Sequence, residues 1–277
     1  GSEAISGILT DEELSLISSS GKTLRQGMID IGGDPNRFRE AARKKGDFKA
    51  FLELHIEQGG FLDAEGINIG VVEGIVGIKQ WMVTFQGKAN HAGTTPMDKR
   101  QDAMLAAARF VVETNRIARS IPGRQVATNG KIKAEPGAPN VIPGKVEMTL
   151  EIRDLNFEKM LSVFEMIKAA AVTIENETGV SIRYENLNED IPAVTDKRIQ
   201  DMIAAAAKDL NLSYKYMPSG AGHDTQDMAR IAPTGMVFVP SKDGISHSPK
   251  EYTSPEDMAN GASVLLQTIL KLDKAKF

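Results

Sequence analysis

The chain has 277 residues, 41% hydrophobic and 25% charged, which is the balance of a globular protein and argues against a disordered chain. Its 33 lysines and arginines against 37 aspartates and glutamates give a formal net charge of -4, which argues against binding to nucleic acid phosphates. No cysteine occurs and no apolar run approaches the ~20 residues of a membrane span, which excludes disulfides, cysteine-bound metals and thiol nucleophiles and favours a cytoplasmic protein that does not bind membranes.

The first strong element is a strand predicted over residues 51–56, after a polar and poorly periodic segment. Its apolar side chains alternate with Glu53 and His55, and Glu57 continues the polar face. Open α/β sheets place their sites at the carboxyl ends of strands, and imidazole with carboxylate suits a divalent metal such as Zn, Mn, Ni or Co. His55 is therefore a candidate metal ligand. The alternative is that this face is a solvated strand edge.

From about residue 76 the sequence predicts an inserted domain of a different type. Helical periodicity covers residues 99–119 and 157–178, and strands are predicted over residues 77–85, 125–133, 145–153 and 180–184. The order β-α-β-β-α-β is the split βαβ pattern of a ferredoxin-like α+β domain.

Helices and strands alternate again after Pro192. Strands are predicted over residues 212–217 and 235–239, and helices over residues 196–210, 225–231 and from Pro255 onward, where Ser254 is the N-cap. Strand 235–239 is almost entirely apolar, as expected for a strand covered on both faces. The fold prediction is an α/β domain over residues 1–75 and 190–277, interrupted by an α+β insertion over residues 76–189.

All four histidines lie in polar segments that contain glycine. His91 is in the loop after the first strand of the insertion, His223 precedes a short helix, and His247 follows the apolar strand 235–239. Imidazoles act in catalysis or metal binding from such loops and strand ends. For a single histidine, a surface or capping role is at least as good an interpretation; for His91 this means ordering its own turn with Thr94 and Thr95. Four of four in such segments favour a site.

Two residues of the insertion are candidates for substrate binding. Asn140 lies in the rigid loop 137–144, where a plain hairpin loop is the default interpretation. Arg153 ends an alternating strand, and its planar guanidinium suits a substrate carboxylate, although a pair with Asp154 is an equally good interpretation. Phosphate loops, Gly-x-Ser-x-Gly elbows and His-Glu-x-x-His motifs are absent from the sequence.

Five segments together make the sequence recognisable. They are residues 53–59 (ELHIEQG), 90–97 (NHAGTTPM), 139–143 (PNVIP), 218–224 (PSGAGHD) and 244–248 (GISHS). In this order and spacing they resemble the family of N-carbamoyl-L-amino-acid hydrolases, allantoate amidohydrolases and β-ureidopropionases, which are dinuclear metal amidases related to aminoacylases. The resemblance covers essentially the whole chain.

The resemblance implies a catalytic α/β domain interrupted by a lid domain that also forms the homodimer. It also implies two divalent metal ions (Zn, Mn, Co or Ni) per active site, with His55 and His247 each binding a different one. His91 is implied to be the catalytic residue that polarises the scissile carbonyl, usually at the partner subunit's site. Four residues are implied to bind the substrate: Gln58, Asn140, Arg153 and Gly222. Of these, Asn140 and Arg153 are implied to hold its carboxylate. His223 and Asp224 are implied to support the site residues from behind.

Part of the family's metal site has no counterpart in this sequence. By resemblance, a His-x-Asp motif, a metal-bridging Asp and a Glu-Glu pair that includes the general base precede the segment matching Gly1-Ser2. No His-x-Asp occurs here, and Glu12-Glu13 follows the start of a polar helix, so no role is carried over to it. We expect this chain alone to be inactive and to be part of a longer polypeptide. The alternatives are a truncated product that dimerises without catalysis, or a second chain that supplies the segment.

The resemblance predicts metal-dependent hydrolysis of the ureido or amide C–N bond of N-carbamoyl-L-amino acids or allantoate-like ureido acids. The expected partners are a small carboxylic acid substrate and a second copy of the chain, bound through the lid domain, with no nucleic acid and no membrane. One alternative is a non-catalytic dimerisation or binding module. Another is an aminoacylase or dipeptidase of the same clan.

Overall fold

The computed structural model describes residues 1–18 and 20–276. The chain divides into two compact units: unit 1 contains the residues up to Ile75 and those from Ala193 onward, and unit 2 contains Val76–Pro192. Within the described ranges, no helix combines the length and the apolar character that crossing a membrane requires.

Strands and helices alternate in unit 1 and follow the β-α-β-β-α-β order in unit 2. The strands are β1 (Phe51–Ile56), β2 (Ile69–Ile75), β3 (Gly77–Gln86), β4 (Asn90–His91), β5 (Val126–Thr128), β6 (Ile132–Glu135), β7 (Val141–Ile142), β8 (Lys145–Asp154), β9 (Ser181–Asp190), β10 (Ala193–Val194), β11 (Tyr214–Ser219) and β12 (Thr234–Val239). The helices are α1 (Ser2–Ser6), α2 (Leu24–Asp30), α3 (Phe61–Glu65), α4 (Ala103–Ser120), α5 (Phe157–Thr178), α6 (Lys197–Asp209), α7 (Asp224–Met228) and α8 (Pro255–Lys274).

A mixed sheet forms the core of unit 1. Strand β12 lies between β1, to which it is parallel, and β2, to which it is antiparallel, and β11 pairs with β2 in parallel. Helices α6 and α8 cover one face through Ile203 and Val264, and α3 covers the other through Leu62, which packs with Phe238. Strand β12 is buried along its whole length, which confirms the prediction made from its apolar sequence.

Strand β2 is missing from the predicted strands, although it joins β12 to β11 in the sheet. Gly70 and Gly74 weaken its sequence signal, because glycine disfavours strands. Packing requires the glycine at position 70: a β-carbon there would lie 2.8 Å from Met217 Sδ and 2.9 Å from Phe238 Cβ. The same glycine that hides the strand in the sequence therefore allows its neighbours to pack.

The chain leaves unit 1 and re-enters it at neighbouring positions. Ile75, at the end of β2, pairs with Ala193 of β10 in antiparallel register. The Thr195 hydroxyl then donates to the Val72 carbonyl at 2.7 Å, and its amide donates to the Glu73 carbonyl at 3.1 Å. The insertion thus begins and ends at paired backbone positions.

Unit 2 is an antiparallel sheet with helices α4 and α5 packed on one face. The sheet order is β5-β8-β3-β9, with β6 also paired to β8. Phe85, Phe110, Leu150 and Ile167 are buried between the sheet and the helices. This topology is the ferredoxin-like arrangement that the element order predicts.

Two element boundaries in unit 2 differ from the prediction for local reasons. The strand predicted over residues 125–133 is divided into β5 and β6, because Thr149 of β8 binds the intervening residues: its carbonyl accepts from Asn129 Nδ2 and its hydroxyl from the Lys131 amide, both at 3.1 Å. Helix α4 begins at Ala103 instead of residue 99, since Asp102 caps it by accepting from the Met104 amide at 2.9 Å.

Candidate functional site

His55 is the penultimate residue of β1, at the carboxyl end of the strand. Its Nδ1 lies 2.8 Å from the carbonyl oxygen of Ile56. Because a carbonyl oxygen only accepts, Nδ1 donates a hydrogen, and in the neutral form of the ring Nε2 carries the lone pair. An imidazole whose Nδ1 is held by a backbone carbonyl in this way is typical of histidines that bind metals through the other nitrogen.

His223 packs against His55. The two rings meet edge to face with their centroids 4.6 Å apart. Its Nε2 lies 2.7 Å from Ser219 Oγ, and its Nδ1 lies 3.8 Å from Glu53 Oε1. Burial, together with the neighbouring His55, lowers the pKa of His223 to about 4, so the ring is neutral at pH 7. His223 supports His55 as an uncharged packing partner.

The carboxylates that flank His55 are bound to helix N-termini. Glu53 Oε2 accepts from the Thr225 amide at 2.8 Å and from the Thr225 hydroxyl at 2.6 Å, in the first turn of α7. Glu57 is buried and accepts from the amides of Phe61 and Leu62, at the start of α3, at 2.9 and 2.8 Å. These amides have no partner within their own helices. Strand β1 is at the edge of the described sheet, as the alternative interpretation has it, but its polar face is half-buried and its carboxylates hold two helices around the histidine.

Gln58 and His247 face each other from two loops, with Gln58 Nε2 3.5 Å from His247 Nε2. Both residues have positive φ, 56° in each case, which is uncommon for residues other than glycine. Between these loops, Gly60 and Gly244 meet so closely that a β-carbon at Gly244 would lie 2.8 Å from the Gly60 nitrogen. The Ser241 hydroxyl also accepts from the Gln58 amide at 3.0 Å. The strained backbone at Gln58 and His247 is thus held by contacts on both sides.

Glu251 is a member of this cluster that the sequence did not reveal. Its Oε2 accepts from the His247 amide at 3.0 Å. This hydrogen bond is the main cause that lowers the pKa of Glu251, and the nearby imidazoles of His247 and His55 lower it further. Glu251 lies in a polar loop without periodicity, so no pattern in the sequence pointed to it.

The donor atoms fit part of a metal site. His55 offers a free Nε2, and His247 lies in the same cluster. Across residues 1–18 and 20–276, however, no group of three or more His, Asp or Glu side chains is arranged to hold a metal ion. Protein metal sites generally use three or more such ligands. The described residues therefore contain the two imidazoles that the resemblance implies as ligands, but they form no complete metal site.

The segment 218–224 lies beside this cluster. Gly222 has open space at its α-carbon, with Gln226 Oε1 3.8 Å from the position of a β-carbon. Asp224 begins α7, and its carboxylate accepts from the Ser2 hydroxyl at 2.6 Å. Asp224 therefore ties helix α1 to helix α7, while His223 makes the contact with His55.

In unit 2, His91 and Asn140 come together through strands β4 and β7. His91 pairs with Val141, and the Ala92 amide donates to the Asn140 carbonyl at 2.9 Å. His91 orders its own turn, since its Nδ1 accepts from the Gly93 and Thr94 amides at 3.0 and 3.2 Å. Asn140 is exposed, as is the histidine. His91 therefore orders its own turn while its ring stays exposed.

Arg153 lies on the sheet face of unit 2 opposite the helices. Its Nε donates to Glu151 Oε1 at 2.6 Å. Asp154 is buried and contacts Lys159 Nζ at 3.2 Å. The alternative that Arg153 pairs with Asp154 is therefore wrong, because adjacent strand residues point to opposite faces of a sheet.

The candidate residues form one cluster in each unit. Unit 1 brings together His55, Gln58, His223 and His247, with Gly222 and Asp224 on the adjoining segment. Unit 2 brings together His91 and Asn140, and it places Arg153 on the sheet face opposite its helices.

Known proteins match this chain over nearly its whole length. Residues 7–271 match Peptidase family M20/M25/M40. The chain is 42% identical over 272 residues to the N-carbamoyl-L-amino acid amidohydrolase of Geobacillus stearothermophilus, covering 98% of this chain and 66% of that one. It is 35% identical over 274 residues to the allantoate amidohydrolase of Bacillus subtilis, covering 98% of this chain and 66% of that one.

A solved structure gives the same result for the fold. The crystal structure of an amidase of the hydantoinase/carbamoylase family from Burkholderia multivorans has a TM-score of 0.88 and 34% sequence identity. The match covers 100% of this chain and 66% of that one. The mixed α/β fold and the resemblance drawn from the five sequence segments are thereby confirmed. The chain spans about two thirds of the length of the curated relatives that it matches.

Proposed function

We propose a function from one premise: the chain belongs to Peptidase family M20/M25/M40, whose members generally use divalent metals. The full-length protein is an amidohydrolase that cleaves the ureido or amide C–N bond of N-carbamoyl-L-amino acids or allantoate-like ureido acids. Similarity to relatives named N-carbamoyl-L-amino acid amidohydrolase and allantoate amidohydrolase supports this substrate class. Among the structural observations, the free Nε2 of His55, fixed by the Ile56 carbonyl, carries the proposal.

Two divalent metal ions, Zn, Mn, Co or Ni, are proposed for each active site. His55 and His247 would each bind one, and the other ligands are expected in the part of the relatives' length that this chain does not span. When bound, the metals would act as Lewis acids on the scissile carbonyl and lower the pKa of the attacking water. On this proposal the 277-residue chain alone is inactive.

The residues of unit 1 would position these groups. Glu251 and the Gly60–Gly244 contact hold His247, while His223 and Glu53 hold His55 and the start of α7. Gln58 faces His247 and is proposed to contact substrate beside the metals. Gly222, with no side chain and open space around it, is proposed to contact substrate through its backbone.

The residues of unit 2 would bind and activate the substrate. His91 is proposed to donate a hydrogen bond to the carbonyl oxygen as negative charge develops there, at the partner subunit's site. Asn140 and Arg153 are proposed to hold the substrate carboxylate, which orients the scissile bond. A homodimer formed through unit 2, acting as lid and dimerisation domain, follows from this assignment.

The test is hydrolysis by the full-length protein loaded in turn with Mn, Co, Ni or Zn. We expect release of ammonia or the free amino acid from N-carbamoyl-L-amino acids or from allantoate, and none from the His55→Ala variant. Activity confined to N-acyl amino acids or dipeptides would move the function to an aminoacylase or dipeptidase. Inactivity towards all of these substrates with every metal would leave a non-catalytic module.

A further inference from the structure

The ring of His91 has one nitrogen committed to its own loop. Nδ1 lies 3.0 Å from the Gly93 amide nitrogen and 3.2 Å from the Thr94 amide nitrogen, and both amides donate to it. A ring nitrogen that accepts carries no hydrogen, so the neutral imidazole carries its hydrogen on Nε2. The other neutral tautomer would point an N–H at two N–H donors. Since His91 is exposed, its Nε2–H is free to donate to another molecule.

The two donating amides are held by Arg100. Its Nη2 donates to the Ala92 carbonyl at 2.7 Å, and its Nε and Nη2 donate to the Thr95 carbonyl at 3.1 and 3.0 Å. These carbonyls lie immediately before Gly93 and immediately after Thr94 in the chain. The planar guanidinium therefore grips the loop on both sides of the amides that meet Nδ1, a geometry that the single ammonium of lysine does not reproduce.

Further contacts close the same loop. The Thr95 hydroxyl donates to the His91 carbonyl at 2.7 Å, and the Asn90 side-chain oxygen accepts from the His91 amide at 2.8 Å. A β-carbon at Gly93 would lie 3.2 Å from His91 Cε1, so glycine permits the close approach of the ring to the loop. The ring and the loop are thus connected by hydrogen bonds, and the Arg100 guanidinium holds the loop in place.

We propose that Arg100 is a positioning residue that fixes His91 in its Nε2–H tautomer, with the Nε2–H directed outwards as a hydrogen-bond donor. Arg100 itself acts through the loop and touches no substrate. That this donor meets a carbonyl oxygen rests on the function proposed above. The tautomer and its dependence on Arg100 do not.

The test is ¹⁵N NMR of the full-length protein labelled at histidine, with the His91 signals assigned by their absence from a His91→Gln spectrum. For the wild type we expect an unprotonated Nδ1 and a protonated Nε2 in the neutral ring. In the Arg100→Met variant we expect both nitrogens to shift towards the average of a free, exchanging imidazole. The Gly93 and Thr94 amides are expected to exchange about tenfold faster with solvent as the loop opens.

Two further variants make the result specific. Lys99→Met removes the neighbouring cation, whose exposed ammonium lies 3.4 Å from the Asp98 carboxylate, and is expected to leave the His91 signals unchanged. Arg100→Lys keeps the charge without the fork and is expected to shift the signals in the same direction by less, and it replaces Arg100→Met if that variant does not fold. A wild-type ring with its hydrogen on Nδ1, or His91 signals unmoved in both Arg100 variants, would overturn the proposal.

Kinetics separate this inference from the proposed function. With an N-carbamoyl amino acid as substrate, Arg100→Met is expected to lower kcat about tenfold with little change in KM, since a loosened donor is misplaced at the carbonyl. If the NMR signals shift as expected while kcat stays within about twofold, the role of Arg100 stands and the proposed use of His91 fails.

Discussion

Gly60 and Gly244 are in backbone contact, and a β-carbon at Gly244 would lie 2.8 Å from the Gly60 nitrogen. Gly244 also has a φ of 66°, which disfavours any side chain. We expect Gly244→Ala to lower the free energy of unfolding of unit 1 by about 2 kcal/mol or more, because it combines a clash with backbone strain. Urea titration followed by circular dichroism measures this change.

The matched control for this contact is Gly220→Ala. Gly220 is also in a loop of unit 1, but it has nothing within 4 Å of a β-carbon and no positive φ. A change below about 0.5 kcal/mol is expected there. Equal effects at the two glycines would show that the contact between the loops is not what stabilises them.

Glu57 is expected to stabilise the start of α3. Replacing it with alanine removes the acceptor of the Phe61 and Leu62 amides and should lower the free energy of unfolding by about 1–2 kcal/mol. Glu65→Gln is the control, since the carboxylate of Glu65 forms an exposed pair with Lys215 and should contribute less than about 0.5 kcal/mol. A Glu57→Ala effect as small as the control would mean that water replaces the carboxylate at no cost.

His55 and His91 are expected to fail in different ways. In the full-length protein, His55→Ala should lower the affinity for Mn or Zn by at least about tenfold, as measured by calorimetry on the metal-free protein. His91→Ala should leave this affinity unchanged and lower kcat by about 10²–10³-fold, the usual cost of removing a donor to a developing oxyanion. Loss of metal from His91→Ala, or full retention of metal by His55→Ala, contradicts the proposed roles.

Arg153 is expected to act on substrate binding. Arg153→Gln should raise KM for N-carbamoyl amino acids by about 10–100-fold, the range for one hydrogen bond to a charged group. Arg183→Gln is the control, because Arg183 lies on the same sheet and is exposed. The effect should disappear when the substrate carboxylate is replaced by an amide. A KM change that persists with the amide would place Arg153 elsewhere on the substrate.

Much of the fold was legible from the sequence where local signals agree. Strand 51–56 and helix 157–178 have the predicted limits, since alternation defines the first while Asn156 and Gly179 cap the second. Strand β2 could not be predicted, because its Gly70 is required by close contacts with Met217 and Phe238, which are distant in the sequence. A local sequence pattern indicates only local conformational preference, whereas β2 is stabilised by pairing with the neighbouring strands.

The candidate site was legible to a similar degree. His55 and His247 stand out as imidazoles in polar segments at strand ends. Glu251 does not, because its role depends on a bond to the His247 amide that only the folded loop forms. The pairing proposed between Arg153 and Asp154 failed for a reason the sequence already contained, since neighbours along a strand face opposite ways.

Because Ile75 pairs with Ala193, the insertion leaves and re-enters unit 1 at neighbouring backbone positions. The ends of such a segment are only one strand spacing apart. Its length therefore has little effect on the entropy cost of folding the host domain. Evolution can lengthen, exchange or remove such a segment while the host sheet keeps its register. The same geometry predicts that a short hairpin turn can connect Ile75 to Ala193 in place of residues 76–192.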